Sequence, residues 1–232
     1  MMLIEVIADT LNDAILAEKA GADRIELITA VGEGGLTPSY GLIEAVCQAV
    51  SIPVSVMVRP HSRSFTYTEQ DVAIMKSDIK ACKDIGAAGV VIGAITSDGK
   101  VDEEALSVLL ESAEDLDVTY HRAFDHVKNQ MEALEVLKSY KQITRILTSG
   151  GAEKAPQAKE QLQELIKSCE GTHLTIMPGS GITPENIAAF LQDVTPREIH
   201  VGSGVRKNRS LLHEIDVELL QTFKKLCNTA GI

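Results

Sequence analysis

The feature that most restricts the fold is an alternation carried along the whole chain. Short β-branched runs give way to longer segments with apolar residues every three or four positions, and the cycle then repeats. The runs fall at Leu3–Ile7, Arg24–Ile28, Val54–Arg59, Gly89–Gly93, Val118–His121, Arg145–Thr148, Leu174–Met177 and Glu198–Val201. Eight strand–helix units in 232 residues leave about 29 residues for each, the spacing of a closed parallel barrel. The sequence predicts an α/β fold of the TIM (β/α)8 type, a single domain over residues 1–232 with no Ser/Gly/Pro linker dividing it. A doubly wound open sheet is the alternative, but it usually opens on a glycine-rich phosphate turn, and Ile7-Ala8-Asp9-Thr10 contains no glycine. Thr37-Pro38, Thr183-Pro184 and the Thr68…Asp71 pair mark helix starts.

Strand parity says more. One parity is apolar throughout: Ile4 and Val6, Ile25 and Leu27, Val54, Val56 and Val58, Val118 and Tyr120, Leu174 and Ile176, Ile199 and Val201. These residues face the helices in a barrel. The inward parity holds Glu5, Glu26, Ser55, Arg59, Thr119, His121, Thr175, Glu198 and His200, a poor composition for a dry core. Such groups pair, reach water at an open end, or serve chemistry. As internal pairs, Glu26 is expected to meet Arg59 and His200 to lean toward Glu5. Binding sites in this fold lie at the carboxyl ends of the strands, where Arg59, His121 and His200 fall; Arg24 and Glu198, at strand beginnings, belong to the opposite, stabilising face, and Arg145, early in its strand, stays out of the site.

The loops after the last three strands, Thr148-Ser149-Gly150-Gly151, Pro178-Gly179-Ser180-Gly181 and Val201-Gly202-Ser203-Gly204, put hydroxyls and glycines at the same end. Loops of that kind let backbone N–H groups approach an anion. His121-Arg122-Ala123-Phe124-Asp125 is the densest reactive cluster, and Arg59-Pro60-His61 with Arg63 adds positive charge in a long loop able to act as a lid. The candidate catalytic set is Glu26, His121 and Asp125, with Glu5, Arg59, Arg122, Ser149, Gly150, Gly179, Ser180, His200, Gly202 and Ser203 as ligand-binding residues. No metal site is read from the residues.

Net charge argues against two partner classes. With 22 basic against 33 acidic residues the chain carries −11, which opposes binding to nucleic-acid phosphates or an anionic membrane, and with no Trp and only eight Phe or Tyr it is poor in base-stacking platforms. The longest apolar stretch, Ala87 to Ile95, is too short to span a bilayer, and Glu5 and Asp9 occupy the region where a secretory signal would be basic and apolar, so a cytoplasmic location is expected. Cys47, Cys82, Cys169 and Cys227 have neither zinc-knuckle nor disulfide spacing and sit on apolar helix faces. A small anionic ligand is the expected partner, and homo-oligomers are open.

Ala22-Asp23-Arg24-Ile25-Glu26-Leu27, Gly34-Gly35-Leu36-Thr37-Pro38-Ser39, Val56-Met57-Val58-Arg59-Pro60, His121-Arg122-Ala123-Phe124-Asp125, Arg145-Ile146-Leu147-Thr148-Ser149-Gly150, Met177-Pro178-Gly179-Ser180-Gly181 and Glu198-Ile199-His200 appear in order from the first strand to the last. Together they resemble the copper homeostasis protein CutC family. The resemblance implies a TIM-barrel-like fold, a cytoplasmic location, a role in copper tolerance or trafficking, and copper as a candidate ligand. The chain departs from the family where cysteines are common, with Ile7 and Ile28 at the ends of strands one and two, and again at His61-Ser62-Arg63-Ser64-Phe65, where a glycine-rich segment is usual. Three readings stay open: a copper-homeostasis protein, an enzyme using acid/base chemistry on a small phosphorylated or carboxylated metabolite, and a regulatory or scaffold protein with a vestigial mouth.

Overall fold

A computed structural model describes residues 2–230. Strands and helices alternate as β1 (Leu3–Ala8), α1 (Leu11–Ala20), β2 (Arg24–Leu27), α2 (Tyr40–Ala49), β3 (Val54–Met57), α3 (Glu69–Ile85), β4 (Gly89–Ile92), α4 (Glu103–Ala113), β5 (Asp117–Tyr120), α5 (Gln130–Leu137), β6 (Ile143–Thr148), α6 (Lys159–Ser168), β7 (Thr175–Pro178), α7 (Ile187–Phe190), β8 (Glu198–Val201) and α8 (Val217–Ala230). All strand pairs are parallel, in the order β7-β6-β5-β4-β3-β2-β1-β8. The first strand thus lies between the second and the last. That pairing curls the sheet into a nearly closed barrel and removes the open-sheet alternative. At the remaining seam β7 meets β8, where a Cβ added at Gly179 would lie 3.1 Å from the His200 ring.

The outward parity is buried as expected. Ile4, Val6, Ile25, Leu27, Val56, Val58, Val118, Tyr120, Ile176 and Val201 join the helix residues Ala14, Val46, Met75, Leu106, Leu134 and Phe223 in one apolar layer between strands and helices. At roughly 1.5–3 kcal/mol for each fully buried aliphatic or aromatic side chain, this layer dominates the driving force for folding. Helix entries follow local hydrogen-bond chemistry. Thr68 caps α3 reciprocally with Asp71, while α2 is capped by Ser39 rather than by Thr37. The Thr37 hydroxyl instead accepts from the Arg59 amide at 3.0 Å, tying the loop before α2 to the end of β3.

Candidate functional site at the barrel mouth

The interior is a charged column whose order follows the strand register. Glu5 lies level with Arg24 on one side and with His200 on the other. Its two oxygens are both taken: Oε2 accepts from Arg24 Nε at 2.5 Å and Oε1 from His200 Nδ1 at 2.8 Å. Arg24 also donates to Glu198 at 2.5 Å and to Met177 Sδ at 3.3 Å. Beyond them Arg145 meets Glu198 at 3.1 Å, Thr119 at 3.1 Å and Asp117 at 2.6 Å, closing the end opposite the mouth. Burial resists ionisation of Glu5, yet Arg24 and His200 together outweigh it and hold its pKa down at about 2.

Toward the carboxyl ends the column opens into a cavity of about 220 Å³. Of the candidate residues, Glu26, Arg59, His121, Arg122, Ser180, His200, Gly202 and Ser203 line it. Glu26 does not meet Arg59. It is level with Ser55 in the β2–β3 register, four residues short of Arg59, which is about 13 Å along a strand. Its Oε2 instead faces His200 Nε2 at 3.8 Å. Burial, with the Glu5 charge behind it, raises the Glu26 pKa to about 7 against the pull of His200 and Arg24.

Arg59 is buried over the Phe65 ring, 4.5 Å from its centroid, and donates to the carbonyls of Glu33, Gly35 and Ser62 at 3.0, 3.2 and 3.3 Å. Phe65 in turn packs on His121 with ring centroids 5.0 Å apart, and its carbonyl accepts from the Ile95 amide. The segment expected to act as a lid is therefore a wall of the cavity. His121 Nδ1 accepts from the Ala123 amide at 3.1 Å, and burial reinforced by the Arg59 charge pushes its pKa down to about 3. The ring is neutral, with its proton on Nε2.

Asp125, Ser149 and Gly150 stand behind the cavity. The buried Asp125 carboxylate accepts from Arg122 Nε at 2.7 Å, from the Ser149 and Gly151 amides at 3.1 Å, and from the hydroxyls of Thr148 and Ser149. These contacts clasp the loop after β6 and aim Arg122, whose side chain is 40% exposed. Gly179 and Gly202 serve close packing. A Cβ at Gly179 would strike Leu147 at 2.6 Å, and one at Gly202 would strike Ile7 at 2.7 Å.

Phe65, Ile182 and Leu211 also line the cavity, without a sequence signal that separates them from ordinary apolar residues. Arg206 is a further structural residue of this end of the barrel. It is 1% exposed and holds Asp13 at 2.8 Å, the Ile7 carbonyl at 3.0 Å and the His213 carbonyl at 2.7 Å, fixing the end of β1 against the loop after β8. The acidic pair Asp9 and Asp13 was the available clue.

The model of the CutC family matches residues 2–205. The chain belongs to the CutC family. The human copper homeostasis protein cutC homolog is 42% identical over 198 residues, 85% of this chain and 72% of that protein. A family protein CutC of Rhizobium meliloti is 43% identical over 197 residues, covering 85% and 79%. The solved structure of a CutC protein from Streptococcus agalactiae superposes with a TM-score of 0.81 at 31% identity, covering 87% of this chain and 98% of that one.

The mouth of this CutC chain does not fit Cu(I). That ion selects thiolate or thioether sulfur, and among the described residues no cysteine lines the cavity. Cys82, Cys169 and Cys227 are buried in the layer between strands and helices, and Cys47 is half-buried beside it. Ile7 and Ile28 stand at the ends of β1 and β2, Met57 brings a single thioether to the cavity wall, packed against Ile28 and Val91, and Met177 is engaged by Arg24. Glu5, Glu26 and His200 bring ligand atoms within 4.8 Å of one another, but these are oxygen and nitrogen donors, and Glu5 is saturated. Under reducing conditions the protein is expected to hold Cu(I) no more tightly than about micromolar. Retention of one equivalent against a strong Cu(I) chelator would refute this.

Proposed function

We propose that this CutC chain supports copper tolerance from the cytoplasm through small-molecule chemistry at the barrel mouth, not by carrying the metal. The ligand is a small phosphorylated or carboxylated metabolite, and the chemistry is proton transfer. One observation carries the reading: Glu26, Arg59 and His121 line the same cavity, and the buried atoms Glu26 Oε1, Arg59 Nε and His121 Nε2 make no hydrogen bond within the described protein. A buried polar group without a partner costs about 1–3 kcal/mol, so three in one cavity are accounted for most simply by a ligand that satisfies them. Arg59 and Arg122 supply the positive charge an anion needs. Glu26, neutral or ionised near pH 7, supplies the acid and base, and Asp125 positions Arg122.

Binding linkage tests the anion. Phosphate or sulfate should raise the melting temperature by several degrees at about 100 times its dissociation constant, while chloride at matched ionic strength should not. Equal shifts for all three salts would mean screening alone and would remove the anion from the reading.

A further inference from the structure

The cavity sorts its polar groups by strand. His200 and Glu26 come from β8 and β2, the two neighbours of β1, whose Glu5 lies below the cavity with both oxygens bonded; the acid/base group of this arc is Glu26. Arg59 follows β3, His121 follows β5, and Phe65 bridges them. This second arc offers only donors. Arg59 is held by three carbonyls and keeps Nε–H free of any protein partner. His121 is locked by Ala123 on one side and by Gly93 on another, where any Cβ would lie 2.5 Å from Nδ1. Its remaining Nε2–H is likewise without a protein partner.

We propose that the mouth enolises an α-hydroxy carbonyl compound carrying a phosphate or carboxylate, with Arg59 Nε–H and His121 Nε2–H on the carbonyl oxygen and Glu26 taking the proton from the adjacent carbon. The proposal rests on the reading of the mouth as an acid/base site for a small anion. Glu26 Oε1 removes the proton, the C–H electron pair becomes the new C=C bond, and the carbonyl π pair moves onto oxygen. That oxyanion is stabilised by two donors already fixed in place. Return of the proton to the neighbouring carbon, with the hydroxyl proton moving to the first oxygen, gives the isomeric carbonyl compound; return to the original carbon exchanges its hydrogen with solvent. Nothing is oxidised or reduced overall. A neutral imidazole suits the electrophilic role, because its Nε2–H donates without first having to lose a charge, and a buried glutamate suits the base. Ile7, Ile28, Leu147 and Ile182 keep the surroundings apolar, which strengthens each of these interactions.

The test compares phosphoglycolohydroxamate, a planar mimic of the enediolate, with glycerol 3-phosphate, which carries the same phosphate on a saturated chain. The hydroxamate should bind the wild-type protein at least ~100-fold more tightly, as a transition-state mimic does. With dihydroxyacetone phosphate in deuterium oxide, proton NMR should show deuterium entering the carbon beside the carbonyl. Glu26→Gln should lower that exchange by at least ~100-fold while glycerol 3-phosphate binding changes by no more than a few-fold. His121→Phe, shown to be folded by circular dichroism, should lose the preference for the hydroxamate. Equal affinity for the two phosphates would overturn enolisation and leave the anion site standing. Binding of neither would overturn both.

Discussion

Glu5→Gln is expected to destabilise the protein by about 3 kcal/mol at pH 7, toward the lower end of the range for breaking a buried ion pair, because Glu198 still faces Arg24 after the change. The variant keeps the shape and loses the charge that Arg24 and His200 both face. Arg24→Met added to Glu5→Gln should restore part of the loss, since the uncompensated cation goes with it. The acid side supplies a second signature. A carboxyl held near 2 in the folded protein contributes its stability above the unfolded value of about 4.5 and loses it as pH falls through about 2. Wild type and Glu5→Gln should therefore converge toward pH 2 in urea melts. A loss under 1 kcal/mol at pH 7 would show that the column is not what holds β1 between its neighbours.

Glu26→Gln should act in the opposite sense. With its folded pKa raised to about 7 from an ordinary 4.5, the native protein binds more protons than the unfolded chain between those values, so stability falls as pH rises through that window. At pH 8 the variant should be more stable than wild type by on the order of 2–3 kcal/mol, and the two should coincide below about pH 4.5. Chemical denaturation at pH 4 and pH 8 measures the difference directly. An identical difference at both pH values would mean that Glu26 carries no such burden. A group that costs stability when ionised, and touches a cavity, is the pattern expected of a functional carboxylate.

The barrel was legible because two periodicities agree: the strand parity names the face under the helices, and the helical stripes supply what covers it. Boundaries moved by only a residue or two, as where β6 starts at Ile143 instead of Arg145. Interior pairing was legible only where register puts two residues level. Glu5 and His200 are level, and they bond. Glu26 and Arg59 share a parity but stand four residues apart in height, and parity alone carries no height. The three loop carbonyls that Arg59 captures are also invisible in sequence, since every residue type offers one. Asp125 shows the same limit: its residue type fits a base, and only the folded loop after β6 reveals that its oxygens are occupied.

Glu5 and its partner His200 are separated by 195 positions. At about 5–20 residues per second, a ribosome that has made the first strand needs roughly 10–40 s to deliver the imidazole that completes it. Arg24 can pair with Glu5 early, but His200 and Glu198 come last, so the nascent chain carries an incomplete charge network through most of its synthesis. Such groups stay in water until their partners arrive, because drying them sooner costs several kcal/mol for each ion. The barrel interior is thus expected to dry only once the eighth strand docks beside the first and supplies the missing partners.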